Sequence, residues 1–292
     1  MHASTFFDGV RQADIDIDGD LVKLPIFYRD GESITGVFPA RLSALRKMLP
    51  DRRLVPARLA PGLGAITITC FEYRDSDVGS YNELAIGIML NHPRDRANLP
   101  GRALLGGVLR GQMDAFVHHL PVTTELALKA GRELWNYPKF VASIDFEEDD
   151  STRTCRLAHD GEHILTMSVP KIQSRRREQI QLFTHVYQDG QPQRGEFKLL
   201  ATGSGQSILP GAARLELGPR HPIAQELSLA LLTTKSIAAS YVAGIEGILF
   251  GPENINPLMI QLAAKPAAKP KRSSNGRSAA GAKTRSKSTT AA

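Results

Sequence analysis

The chain predicts a mainly β, α+β fold: a closed or strongly curved antiparallel β-barrel with a few outer helices. Three observations carry this expectation. Residues 65–73 alternate Ile66, Ile68 and Cys70 against Thr67 and Thr69, the period-two pattern of a half-buried strand. Two pairs of β-compatible runs, 152–158 with 163–169 and 181–188 with 196–202, flank Asp160-Gly161 and Gly190, the punctuation of hairpins. Helical patterning is confined to a few stretches, and many short strands with few helices are the mark of a barrel or a curved sheet.

In chain order, Leu21 to Tyr28 reads as a strand and Ala40 to Met48 as a helix. The alternating strand 65–73 follows, then the apolar, β-compatible run Leu84 to Leu90. Thr123 to Leu134 has the pattern of a short helix, and Pro138 stops it because proline fixes φ and lacks the N–H a helix needs. After the two hairpins, Arg214 to Leu217 is short and strand-like. Pro222 to Ile248 reads as one or two helices, broken at Gly244 or Gly247. Within it, Leu227 to Phe250 is the most apolar stretch of the chain. Lys235 and Glu246 interrupt it, so it reads as a buried helix and not as a membrane span. We expect one domain over 1–262 and a disordered tail over 263–292.

Composition narrows the function classes. A hydrophobic content of 42% over 292 residues is enough for a sizeable core. Two cysteines, Cys70 and Cys155, do not make a disulfide framework, and residues 1–14 lack the pattern of a secretory signal. A reducing cytoplasmic setting is the expectation. The net charge of +6 suggests nucleic acid only until its distribution is read. Eight of the 36 basic residues lie in 263–292, which holds no acid, leaving 28 against 30 acidic residues in the body. That tail of Ala, Lys, Pro, Ser and Gly buries too little surface to offset its ordering entropy. It is a solubilising extension or, at most, a weak salt-sensitive contact for nucleic acid or acidic lipid.

Chemistry centres on Lys139. It stands just beyond the rigid Tyr137-Pro138 corner and is followed by apolar Phe140-Val141-Ala142. One reading is a surface lysine favoured by a helix C-terminus. The other is an amine at the wall of an apolar pocket, a nucleophile toward ketones and aldehydes. An unperturbed lysine has a pKa of about 10.4, so about one in 2,500 is neutral near pH 7, and attack needs the neutral form. Burial lowers a lysine pKa by up to about 3–5 units.

The run Gly131-Arg132-Glu133-Leu134 followed by Tyr137-Pro138-Lys139 resembles the Schiff-base lysine segment of the acetoacetate decarboxylase family. Gly79-Ser80-Tyr81-Asn82-Glu83 resembles the segment of that family that ends in an active-site glutamate. Ala44-Leu45-Arg46-Lys47 with Pro50, and Arg214-Leu215-Glu216-Leu217 with His221 and Pro222, add weaker matches in the same order. The resemblance spans roughly residues 20–250. It implies a barrel fold, a cofactor-free and metal-free lyase that forms an imine on Lys139, a small keto acid or ketone as partner, and a homo-oligomer. It also implies Glu83 as a proton shuttle. A second pocket glutamate is expected where direct spacing places Ile68, with Glu72 four residues on as the substitute. An N-terminal arginine for a substrate carboxylate is expected near Arg29. Trp135 and Tyr137 are expected as pocket walls or plain core, and Arg132 and Glu133 as structural.

One departure matters. The family's best-known decarboxylases carry a second lysine after the reactive one, and this chain has Phe140 there. Decarboxylation of a β-keto acid and aldol or dehydration chemistry through the same imine therefore stand as rivals. The alternative from another class is a non-catalytic small-molecule-binding barrel of the same fold. Other signals are set aside. His159 and His163 are four apart, but Asp160-Gly161 between them argues for a hairpin over a metal site. His118-His119 suggests a loop or interface, Gly203-Ser204-Gly205 is too short for a phosphate loop, and Arg175-Arg176-Arg177 reads as a solvated loop.

Overall fold

A computed structural model of the chain describes residues 4–92, 95 and 97–251. The expected boundary at 262 and the basic tail lie outside these residues. The chain begins with a hairpin of β1 (Ala13–Ile17) and β2 (Asp20–Leu24), then β3 (Ile26–Arg41) and α1 (Leu42–Met48). Next come β4 (Leu63–Ser76), β5 (Tyr81–Met89), α2 (Arg102–Arg110), β6 (Gln112–His119) and α3 (Glu125–Trp135). A run of strands follows: β7 (Ser143–Glu148), β8 (Thr152–His159), β9 (Glu162–Pro170), β10 (Arg177–Gln188) and β11 (Gln191–Thr202). The last elements are β12 (Gly205–Ser207), β13 (Arg214–Leu217), α4 (Pro222–Ala230), β14 (Ala238–Val242) and β15 (Gly244–Leu249).

Seven strands close a barrel in the order β3-β15-β11-β10-β6-β5-β4, sealed by the long β3–β4 pairing. All of its pairs are antiparallel except β6 with β10, which run parallel. β14 extends along β3 beyond β15 and carries β12 on its far side. A separate four-stranded antiparallel sheet, β13-β9-β8-β7, lies beside the barrel. Both expected hairpins form. Asp160-Gly161 and Asp189-Gly190 each take two successive positive φ values, 49° and 75°, then 49° and 77°, as tight hairpin turns require.

Two apolar cores divide the work of β4 and β5. Ile66, Ile68 and Cys70, with Leu84, Ile86 and Ile88, pack against Cys155, Leu157 and Met167 of the second sheet and Leu227 of α4. Each large aliphatic side chain fully removed from water there contributes about 1.5–3 kcal/mol. The opposite faces of the same strands point into the barrel, where Phe71, Tyr73 and Tyr81 meet Trp135 and Tyr137. The Thr67 face is therefore buried too, at 7% exposure, and the half-buried reading of 65–73 is corrected.

Other expectations are corrected along the chain, the largest by pairing with strands distant in sequence. The helix expected to continue to Ile248 ends at Ala230. The buried helix expected over 227–250 is instead β14 and β15, which pair with Ser33–Val37 and Ile26–Tyr28. Both are short and apolar with several buried positions, and periodicity over so few residues does not separate a strand from a buried helix. The strand expected over 21–28 divides at Pro25 into β2 and β3. The helix expected from Ala40 starts at Leu42, after β3 ends. The polar run Arg29-Asp30-Gly31-Glu32 resembles a turn but stays in β3, with an irregular register against β4. No helix among the described residues is long and apolar enough to cross a membrane.

Candidate functional site

The barrel encloses a cavity of about 120 Å³. Its wall is set by strand parity. Thr67, Thr69, Phe71 and Tyr73 of β4 face it, as do Glu83, Ala85 and Gly87 of β5 across the register Phe71↔Glu83. Tyr28, Leu120, Phe183, Thr184 and Phe197 complete much of the wall, with Tyr137 and Lys139.

Lys139 reaches this cavity through the way α3 ends. Thr124 caps the helix start by accepting from the N–H of Ala127. At the other end Asn136 takes φ 53°, and the N–H groups of Asn136 and Tyr137 donate to Arg132 and Gly131 carbonyls. The stop is thus Asn136, two residues ahead of Pro138. The chain leaves this cap alongside Leu120–Val122. Leu120 N–H donates to Pro138 O, and Val122 N–H to Phe140 O. Val122 also bridges Glu83, so one backbone segment fixes both chemical side chains.

The result is a buried ion pair. Lys139 Nζ lies 2.7 Å from Glu83 Oε2, with the two residues 6% and 8% exposed. The Tyr81 hydroxyl stands 3.5 Å from the same oxygen, and Tyr28 and Tyr81 hydroxyls are 3.2 Å apart. The Tyr81 ring centre is 5.6 Å from Nζ, within cation–π reach. Burial, reinforced by the Glu83 carboxylate, pushes the Tyr28, Tyr73 and Tyr81 phenols well above the ordinary tyrosine range. Burial does the same for Tyr137, whose hydroxyl bonds Thr184 Oγ1 at 2.7 Å. These phenols stay protonated at working pH. The cavity thus offers neutral hydroxyls, one amine, one carboxyl and apolar surface.

Gly131 makes room for the amine. A Cβ there would lie 2.4 Å from Lys139 Cε and 2.5 Å from Cδ. Arg132 Nε donates to the Lys139 carbonyl at 2.8 Å and holds the backbone that carries the amine.

The remaining sequence candidates lie elsewhere. Ile68 and Glu72 share the β4 face turned away from the cavity, and a shift of four residues keeps that parity. Glu72 instead accepts from Arg153 Nη2 at 2.6 Å. Arg29 sits in an outer cleft, bonded to Asp77 at 2.6 Å with its side chain 37% exposed, and does not line the cavity. Trp135 stacks on Tyr137 at 5.9 Å and donates Nε1–H to Phe250 O, so it backs the wall without lining it. Phe140 points the other way, into the core between barrel and sheet, with its ring 5.0 Å from His159. His159 and His163 lie on the expected hairpin. Sequence reasoning did not single out Tyr28, Tyr73 and Thr184, which converge from three distant strands. Tyr81 and Gly131 were within the quoted motifs, and only the geometry gives them their roles.

The family model described as acetoacetate decarboxylase (ADC) matches residues 18–248. Among solved structures, an acetoacetate decarboxylase is 19% identical, covers 79% of this chain and 89% of its own, and superposes with a TM-score of 0.52. Acetoacetate decarboxylase from Legionella pneumophila is 16% identical over 78% of this chain and 86% of its own, with a TM-score of 0.53. The enduracididine biosynthesis enzyme MppR, complexed with pyruvate, is 14% identical over 78% and 88%, with a TM-score of 0.51. At these identities the likeness speaks to the fold. No curated protein matches the chain.

Proposed function

The chain belongs to the acetoacetate decarboxylase family, and on that premise we propose that it is a cofactor-independent lyase that forms an imine between Lys139 and a small keto acid or ketone. The observation that carries this reading is the Lys139–Glu83 contact of 2.7 Å at the wall of an otherwise largely apolar cavity. Burial argues against a surface lysine, and the adjoining cavity leaves room for a carbonyl compound beside the amine.

The proposed reaction starts with the Lys139 ammonium giving a proton to Glu83. The free amine attacks the carbonyl carbon. The carbonyl oxygen collects one proton from the nitrogen and one from Glu83, and leaves as water. An iminium with one N–H remains, facing the Glu83 carboxylate. With a β-keto acid, the bond to the carboxylate breaks, CO₂ departs, and its electron pair neutralises the iminium as an enamine. A proton from solvent adds to the enamine carbon, the one proton that converting a β-keto carboxylate to ketone and CO₂ consumes overall, and restores the iminium. A second water hydrolyses the iminium and returns the product ketone and the Lys139 ammonium. The Tyr81 hydroxyl, beside the same carboxyl oxygen, steadies the charge on Glu83 between these transfers.

The cavity bears on the choice between rival chemistries. Lys139 is its one cationic group among the described lining residues. A substrate carboxylate would lie among hydroxyls and apolar side chains, with no arginine among the described lining residues to neutralise it. Desolvating an anion there is costly, and releasing it as CO₂ removes the charge. This supports decarboxylation or a neutral carbonyl substrate over a reaction that retains the carboxylate. The test is a product assay with acetoacetate, and separately with pyruvate plus an aldehyde. Lysine-dependent CO₂ release, absent in Lys139→Ala, is the expected result. Turnover of neither set, with ligand binding unaltered in Lys139→Ala, would instead favour a non-catalytic binding barrel.

A further inference from the structure

Away from the barrel cavity, two neighbouring histidines meet one carboxylate. The β5–β6 register jumps from Gly87↔Val117 to Ile86↔His119, which makes His118 the extra residue of a β-bulge. Neighbouring residues of a regular strand point to opposite faces. Here the bulge turns both imidazoles toward the same partner, with ring centres 4.3 Å apart. His118 Nε2 lies 2.9 Å and His119 Nε2 3.0 Å from one oxygen, Oε2 of Glu226 on α4. One ligand atom from each residue falls within 4.8 Å of the others.

The donor set suits a cation. Among the described residues, Glu226 pairs with no lysine or arginine, only with these imidazoles. Two neutral imidazoles and a carboxylate carry a net charge of −1. Side-chain exposures of 13%, 23% and 37% leave the cluster open on one side. Zinc takes imidazole nitrogen and carboxylate oxygen at about 2.0–2.2 Å, and three protein ligands leave a fourth place for water. Donors of a tetrahedral ion stand about 3.4 Å apart; the two His–Glu contacts would open by a few tenths of an ångström, and all three ligand atoms already lie within 4.8 Å of one another.

We propose that His118, His119 and Glu226 form a binding site for a divalent cation of the zinc class, tying α4 to the end of β6. The chain positions of these residues hide the site: the histidines are adjacent, and Glu226 lies 107 residues beyond His119. The proposal is independent of imine chemistry in the barrel.

The full chain, without affinity tag and stripped with a chelator, is dialysed against zinc sulfate and its metal content measured. The expected result is about one zinc ion per chain beyond that kept by the His118→Ala/His119→Ala double variant. Glu226→Gln, which keeps the side chain's size, should weaken binding by more than about tenfold, since even outer-shell partners of metal ligands are worth about that much. Cobalt in place of zinc gives a visible ligand-field spectrum that reads the donors directly, whatever the variants do to folding. Zinc uptake by the wild type no greater than by the variants would overturn the site, leaving a hydrogen-bonded His-Glu-His clamp. A cobalt spectrum unmoved by Glu226→Gln would overturn it as well.

Discussion

Lys139 and Arg153 have nearly the same burial and opposite surroundings. Their side chains are 6% and 5% exposed, and each donates to carboxylate. Arg153 is ringed by carboxylates at both terminal nitrogens, while its buried Nε has no hydrogen-bond partner among the described residues. Its Nη1 bonds Glu32 and Glu148 at 2.9 and 2.8 Å, its Nη2 bonds Glu72 at 2.6 Å, and the Phe146 ring lies 4.8 Å away. Lys139 has one carboxylate and borders a cavity. A guanidinium is always charged, so three carboxylates around it make a fixed clamp between barrel and sheet. An amine with a single proton acceptor and empty space in front can exchange its proton and accept a carbon. Burial alone therefore does not mark a reactive group; the free volume and the number of counter-charges do.

The largest expected effect on this contrast comes from exchanging the two cations for neutral side chains. Lys139→Ala should lower carbonyl turnover by at least about 10³-fold, because no other group supplies the nucleophile. Arg153→Met should leave turnover per folded molecule nearly intact. It should cost about 2–4 kcal/mol in urea unfolding, less than a fully enclosed pair because Glu72 and Glu148 reach solvent. Loss of turnover in both variants, with no loss of stability in Arg153→Met, would erase the distinction.

Gly131→Ala sharpens the comparison by moving the amine without removing it. The added Cβ would fall where Lys139 Cε and Cδ now run. A displacement of about 1 Å is worth about 10² in rate. Alanine's better helix propensity, about 1 kcal/mol, offsets part of the crowding in the unfolding free energy. Wild-type kcat in this variant would show that the observed path of the lysine side chain is not the working one.

Alkaline pH should test the cavity wall more weakly. Tyr28, Tyr73, Tyr81 and Tyr137 have folded-state pKa values raised above the unfolded value of about 10. Their protonated forms are kept in the fold while the unfolded chain ionises. Stability from this source is thus complete below about pH 10 and falls as pH rises toward the folded values. Tyrosinate absorbance from these residues should appear together with unfolding. Early, non-cooperative ionisation of all the tyrosines would contradict the dry wall. The smallest effect belongs to Arg29→Ala, which removes an exposed arginine from Asp77, a carboxylate that still accepts from Gln12 and the Phe27 N–H: about 1 kcal/mol or less, with KM unchanged. A large rise in KM would bring Arg29 back as a substrate ligand.

These residues also show what was legible in the chain. The lysine and Glu83 segments are local runs, and each carries its side chain to the cavity by local means: the Asn136 cap for one, strand parity for the other. The hairpins were equally local, since Asp160-Gly161 and Gly190 set their own turns. Glu72 and Arg29 were misplaced because distance along the chain does not report which face a residue occupies, and Ile68 and Glu72 share the wrong one. β14 and β15 read as helix because no partner is next to them in the chain: β3 lies some 200 residues earlier, and β11 and β12 some 30–50. The Thr67 and Thr69 face read as solvent-facing because alternation along one strand does not report that the barrel closes over that face.

The central claim is that the Lys139 nitrogen becomes covalently bound to substrate carbon. Borohydride reduction of the full chain with acetoacetate, pyruvate or acetone present, followed by peptide mass mapping, measures it directly. The account requires a stable adduct on the peptide containing Lys139, lost in Lys139→Ala and retained in Arg153→Met. No adduct across these carbonyl compounds, or an adduct on some other lysine, would contradict it.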